Sequence, residues 1–255
     1  MPYAILFVSL LFLTVAVIIL YVYNIPLLRR LPRAVVRMLI NLGITAACLH
    51  GVFAVNHWGV SLLWILLMVV LSAALSVNKA QLKLSRFFVP ALAGVGGAVL
   101  IVGVLTLLAI TDINGAADAR FLIPVAGILV GSLIETNGRA LRVYYSGLDH
   151  HSQLYYYMLG NGATHNEALK HFTHRAMEKS IIPSISHMAM QVVGVSPLLL
   201  WGMLLGGMKP VLAVGIQVLM LLAMLCSSLL SVVITLYVAR RFAFDAYLQL
   251  KQKNS

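Results

Sequence analysis

Long apolar stretches alternate with short polar segments along the whole chain, and that alternation sets the fold. The stretches lie near residues 3–23, 34–55, 59–77, 88–111, 119–141, 181–208 and 211–239. Each meets or approaches the roughly 20 residues that a helix needs to cross a hydrocarbon core of about 30 Å. Helix is the choice because lipid offers no partner to an unsatisfied backbone group. The pattern therefore predicts an all-α polytopic integral membrane protein of about seven transmembrane helices. It forms one transmembrane domain over 1–255, with its sizeable soluble segment at about 142–180.

Composition supports this class. Hydrophobic residues make up 61% of the 255 and charged residues only 10%, whereas soluble domains average about 25% charged. The charges are also unevenly divided between the two sides. Sixteen of the eighteen Lys and Arg residues fall on the side that receives Arg29, Lys79, Arg139 and Arg240, and only Arg120 and Lys209 fall on the other. Cytoplasmic loops hold the excess of Lys and Arg, which predicts the N-terminus outside, the C-terminus inside, and a cell (inner or plasma) membrane location. The net charge of +11 reads as attraction to anionic membrane lipid, not to nucleic acid, because the basic residues flank apolar spans. Cys48 and Cys226 both lie in apolar stretches and imply no disulfide framework.

Trp58 and Trp64 near one end of the third stretch, and Tyr21 and Tyr23 at the inner end of the first, suit membrane interfaces. Gly127 with Gly131, Gly202 with Gly206, and Gly94, Gly96, Gly97 and Gly103 predict smooth faces for close helix packing.

The cytoplasmic segment carries most of the local detail. Residues 142–158 hold Tyr144, Tyr145, Tyr155, Tyr156 and Tyr157, read as an extension of the fifth helix in the headgroup region. Leu159-Gly160-Asn161-Gly162-Ala163 is a helix break. Thr164 followed by Glu167 is a capping box, which predicts a helix from about 165 to 179. Ala168, Phe172 and Ala176, with Leu169, give it one narrow apolar face. Such a helix either lies on the membrane or docks into a partner as a lever.

Residues that suit a substrate pathway cluster in the fifth and sixth stretches. Phe121–Ile134 contains only fourteen apolar residues, about 21 Å of helix, so the fifth span must include polar residues at one end. Glu135 is then either an intramembrane acid with a functional role or an interfacial residue paired with Arg139 one turn on. His187, Met190 and Gln191 follow Pro183 in the sixth stretch, and thioether and imidazole suit soft or borderline metals. Pro197 removes a helical hydrogen bond at a position where a kink would act as a gate or be static. Weak metal candidates are Glu135, His171, His174 and His187.

The order Ile123-Pro124-x-x-Gly127-x-x-x-Gly131, Leu159-Gly160-x-Gly162-Ala163-Thr164-x-x-Glu167-Ala168, Ile182-Pro183, Pro197-x-x-x-x-Gly202, Gly206-Gly207-x-x-Pro210-x-x-Ala213 and Gln217 resembles the Fet-type iron-export permeases. That family includes a plant branch linked to aluminium tolerance. The resemblance implies the permease subunit of an ATP-binding-cassette transporter. Such a subunit exports iron or another metal and is driven by a separate ATPase that holds ATP and Mg. No phosphate-binding GxxxxGK[ST] loop occurs here, so no cofactor is expected on this chain and no enzymatic activity of its own. The resemblance places Gly160, Gly162, Ala163, Thr164, Glu167, Ala168 and Phe172 in an ATPase-coupling element. It adds Ser132 and Gln217 to the pathway. Two ATPases close as a pair, so two copies of this chain are expected around a twofold axis. The chain departs from the family pattern at Ser132, Ala189, Leu198–Leu200 and Lys209. The alternatives are a permease for a non-metal solute such as a nucleotide sugar, and a membrane-embedded metal-dependent enzyme using Asp149, His150 and His151.

Overall fold

The computed structural model describes residues 2–23, 31–55, 57–111, 118–191 and 198–243. Among them the regular structure is entirely helical, in two units, Met1–Val55 and Asn56–Ser255. The first unit holds α1 (Pro2–Val22) and α2 (Leu31–Val55). Apart from Val52, the described side chains of α2 are not buried, and Leu39, Ile40 and Ile44 stand outwards.

The second unit holds α3 (Trp58–Ala80), α4 (Leu84–Ile110), α5 (Ala119–His150), α6 (Ser152–Gly160), α7 (His165–Ala189), α8 (Leu198–Leu205) and α9 (Pro210–Ala243). Here α4 packs along α9, α3 lies against both α4 and α5, and α5 lies against α7 and α9. One part of the core gathers Val77, Phe87, Tyr144, Leu148, Leu169 and Leu236, and another gathers Val95, Leu129, Leu133, Met220 and Ala223.

The polarity of this bundle is inverted relative to a soluble protein. Leu63 is 67% exposed and Leu100 68% exposed, while Ser76, Asn137, Ser231 and Thr235 are fully buried. Water would reverse that arrangement. Lipid favours it, because apolar side chains cost nothing on the outside and polar ones find partners within the bundle. Asn137 does so, donating to the Ser231 hydroxyl at 2.7 Å and accepting from the Thr235 hydroxyl at 3.5 Å. Five described helices, α2, α3, α4, α5 and α9, are long and apolar enough to cross a membrane. α1 has the 21-residue length of the first expected span.

The sixth expected span departs from its prediction. Residues 181–208 are not one helix. The polar helix expected to stop near 179 continues to Ala189 as α7, and α8 covers only Leu198–Leu205. No glycine or capping signal interrupts Lys179–Ile182, and the hydrogen-bond ladder is indifferent to the change from polar to apolar side chains. The gate predicted at Pro197 lies outside the described residues.

The expectation of close packing holds on α4 and fails at the two spaced glycine pairs. A Cβ on Gly131 or Gly202 would meet nothing within 4 Å, and one on Gly127 would make an ordinary contact with Met68. The tightest contact is at Gly94, where a Cβ would stand 1.9 Å from the Thr235 hydroxyl and 2.7 Å from the Ser231 carbonyl. That glycine sets the α4–α9 approach.

Candidate functional site

α5 begins with Asp118 accepting from the Arg120 amide at 3.0 Å and runs unbroken to His150. Its polar half turns Ser132 and Glu135 towards α7. A cavity of about 300 Å3 lies there, walled by α5, α7 and α9, with Gly131, Ser132, Glu135, His187, Met188 and Met224 among its lining. Gly131 serves the cavity by leaving it room, which is why its missing Cβ contacts nothing.

Three residues predicted for a pathway, Ser132, Glu135 and His187, thus share one cavity. Met190, Gln191 and Gln217 are not among its lining residues. Met190 is the exposed C-cap of α7, Gln191 donates to the His187 carbonyl at 3.2 Å, Gln217 is buried on α9 with its side-chain carbonyl unpartnered, and Pro197 lies outside the described residues. The Ser132 hydroxyl is turned back onto the Leu129 carbonyl at 2.7 Å.

Glu135 is anchored by two cations, accepting from Lys79 Nζ at 3.0 Å and from Arg139 at 3.3 Å. The Arg139 contact is the i, i+4 pair expected from the sequence. Lys79 is one residue from the end of α3, so the carboxylate sits near the depth where that helix ends, which favours the interfacial reading of Glu135. Lys79 is the residue the sequence reading missed. It is 56 positions away, and nothing local links the two. Among the described residues no three His, Cys, Asp or Glu side chains converge on a metal-sized site. His171 and His174 are exposed on α7, and His150 is bonded to the Ser146 carbonyl at 2.8 Å.

A second feature stands at the other end of α7. α6 closes at Gly160, and Gly162 takes φ +86°, which a side chain would resist. Its amide bonds the Leu159 carbonyl and the Ala163 amide bonds the Met158 carbonyl, both at 3.0 Å, satisfying the ends of α6. The capping box is present. The Thr164 hydroxyl accepts from the Glu167 amide at 3.4 Å, and the Glu167 carboxylate accepts from the Thr164 amide at 2.8 Å. The Thr164 hydroxyl and amide hold the Glu167 carboxyl below its usual range.

The predicted apolar face is in place, with Ala168, Leu169, Phe172 and Ala176 all buried. Ala168 and Phe172 face the core of their own chain, where they hold the elbow. Gly160, Gly162, Thr164 and Glu167 are exposed, and Ala163 is half-buried. The expected extension of the fifth helix runs to His150, and the tyrosines of 142–158 divide between core and surface. Tyr144 and Tyr155 are core residues and the Tyr145 hydroxyl donates to the Ala239 carbonyl at 3.2 Å, whereas Tyr156 and Tyr157 are exposed. Tyr155 meets His165 Nδ1 at 2.8 Å. Burial, then the neighbouring Tyr156, pushes the Tyr155 phenol up to about 12. Burial, then the Arg240 charge, lowers His165. Both shifts favour a neutral pair in which the phenol donates to the imidazole. Arg240 also donates to the Thr173 hydroxyl at 3.1 Å, tying α9 to α7.

Two curated relatives span nearly the whole chain. "UPF0014 membrane protein YjkA" of Bacillus subtilis is 24% identical over 86% of this chain and 86% of its own. "Protein ALUMINUM SENSITIVE 3" of Arabidopsis thaliana is 25% identical over 92% of this chain and 85% of its own. No solved structure matches. The model of the "Uncharacterised protein family (UPF0014)" matches residues 3–244, and this multi-pass membrane chain belongs to that family.

Proposed function

We propose that the chain is the permease subunit of an ATP-binding-cassette transporter, exporting iron or another metal ion and driven by a separate ATPase. The observation that carries this reading is α7. One helix of 25 residues with Pro183 inside it, about 37 Å long, joins the exposed elbow at Gly160–Glu167 to the cavity lined by Pro183 and His187. A push on the elbow from an ATPase would be transmitted along a rod to the cavity wall. That is the rigid-body displacement which alternating access needs.

The charge distribution supports the elbow facing the cytoplasm. Lys79, Lys83, Arg86, Arg139, Arg142 and Arg240 all belong to the same end of the second unit, at the end of α3, the start of α4, the later half of α5 and the end of α9. Arg120 and Lys209 begin α5 and precede α9 at the opposite end. The basic end is the cytoplasmic one by the positive-inside rule, which puts the C-terminus inside. Seven crossings with the N-terminus outside, a cell-membrane location and a homodimeric permease complete the reading. The relative named for aluminium sensitivity is compatible with a metal as cargo.

The cavity chemistry suits a cation in transit. One carboxylate, one imidazole and two thioethers, from Met188 and Met224, face a common space with Arg139, and the carboxylate is paired with Arg139 and Lys79 there. The set is too sparse for a resident ion and mixed enough for a passing one. Glu135 is exposed and its ion pairs are worth at most about 1 kcal/mol. The Glu135→Gln variant should therefore fold with little loss of stability. Metal-stimulated ATPase activity of the complex reconstituted with its ATPase should fall several-fold in that variant. A wild-type complex whose ATPase rate is indifferent to iron, manganese and zinc would refute the metal reading.

A further inference from the structure

We propose, building on the metal-export reading, that Lys79 is a displaceable counter-ion of the cavity, so that its ammonium and the transported cation take the Glu135 carboxylate in turn. Glu135 is the one acid among the described residues that line the cavity between α5, α7 and α9. Its hydroxyl neighbours on α5 are committed to the backbone. The Ser132 hydroxyl donates to the Leu129 carbonyl at 2.7 Å and the Thr136 hydroxyl to the Ser132 carbonyl at 3.1 Å. A cation held by charge in this cavity therefore needs the carboxylate. Two cations already share its Oε1, Lys79 at 3.0 Å and Arg139 at 3.3 Å. Two positive groups on one carboxylate repel a third. Departure of one of them leaves a neutral pair that a metal ion can approach.

The two cations differ in which can leave. Arg139 stands one turn beyond Glu135 on the same helix, so no movement between helices separates them. Lys79 belongs to α3, and its backbone is pinned to α5. A Cβ on Gly138 would stand 3.1 Å from both Lys79 Cβ and the Ser76 carbonyl, so that glycine admits the last turn of α3. Arg142 also donates to the Lys79 carbonyl. The Lys79 side chain itself is 50% exposed on a flexible four-carbon stem. The pinned backbone delivers the ammonium to the carboxylate, and the free stem lets it swing into water. A lysine suits this exchange better than an arginine, because a compact single charge makes no bidentate grip. Exposed pairs of this kind are weak, so a divalent ion competes for the carboxylate on favourable terms. The lysine retakes the carboxylate as the ion departs, which aids release.

A site that is competent for only part of the time shows an apparent affinity lowered by that fraction, and here Lys79 sets the fraction. The complex reconstituted with its ATPase would be titrated with ferrous iron, manganese and zinc in turn, with the ATPase rate as readout. For the metal that stimulates, Lys79→Gln should lower the half-effect concentration about threefold to fivefold, the span that an exposed ion pair covers. Lys79→Arg, whose fork holds the carboxylate more firmly, should leave that concentration at the wild-type value or raise it. Arg175→Gln removes an equal charge from the exposed face of α7 and should leave it unchanged. An unchanged or raised half-effect concentration in Lys79→Gln, or an equal fall in Arg175→Gln, would overturn the role of Lys79, while the wild-type response to metal would leave the transport reading intact. A wild-type complex that answers to none of the three metals removes the metal reading and this role with it. If Lys79→Gln does not fold, a fall in Lys79→Arg overturns the role instead.

Discussion

Single residues in this bundle act through where their neighbours stand. Gly94 is the clearest case, because α4 and α9 meet at its α-carbon and a methyl group would collide with both the Thr235 hydroxyl and the Ser231 carbonyl. Gly94→Ala should cost about 1–3 kcal/mol, seen as a lowered thermal midpoint in detergent. Adding Thr235→Ala should recover only part of it, since the Ser231 carbonyl stays. Gly131 is the opposite case, lining the cavity where an added Cβ would meet nothing within 4 Å. Both glycines look alike in sequence. Small-residue spacing marks where backbones can approach, and only the partner helix decides where they do. Glu135 and Lys79 make the same point for charge. The i, i+4 contact to Arg139 was legible from spacing, whereas the Lys79 contact depends on how α3 lies along α5.

At the scale of elements, the elbow of α6 and α7 was the most legible part of the chain. Its stop and start signals are local. Two glycines end α6, and a threonine with a glutamate three residues on begins α7. The extent of α7 was not legible, because a change in polarity at Lys179–Ile182 resembled a boundary while the backbone continued. Burial separates the roles within the elbow. Phe172→Ala should destabilise the chain by about 3–5 kcal/mol, measured as loss of folded protein. Glu167→Gln keeps an acceptor for Thr164, so it should fold normally yet lower transport per ATP several-fold in the reconstituted complex.

The elbow should also respond to pH. The folded chain lowers the His165 pKa below its usual value of about 6.5, so the unfolded state binds the proton more readily. The stability that His165 contributes is therefore complete above about pH 6.5 and is lost as pH falls through the lowered value. Hydrogen exchange of the α6–α7 amides should accelerate below that pH, and a His165→Asn variant should lose the dependence. Acceleration on raising the pH, after correction for intrinsic exchange, would contradict the assignment.

At the scale of the whole molecule, the membrane class followed from composition and periodicity alone, because lipid leaves a helix few alternatives. The convergence of Ser132, Glu135 and His187 on one cavity depended on pairings between helices that no local pattern encodes. One helix, α7, joins that cavity to the elbow, and in the proposed transporter the elbow faces the cytoplasm against a separate ATPase. Asn166 lies exposed on the elbow, and an Asn166→Cys variant with Cys48 and Cys226 replaced by serine would place one thiol there. In sealed, oriented vesicles a membrane-impermeant maleimide should label that thiol only from the cytoplasmic face, and bound ATPase should protect it. Labelling from the outer face, or labelling that the ATPase leaves unchanged, would contradict the account.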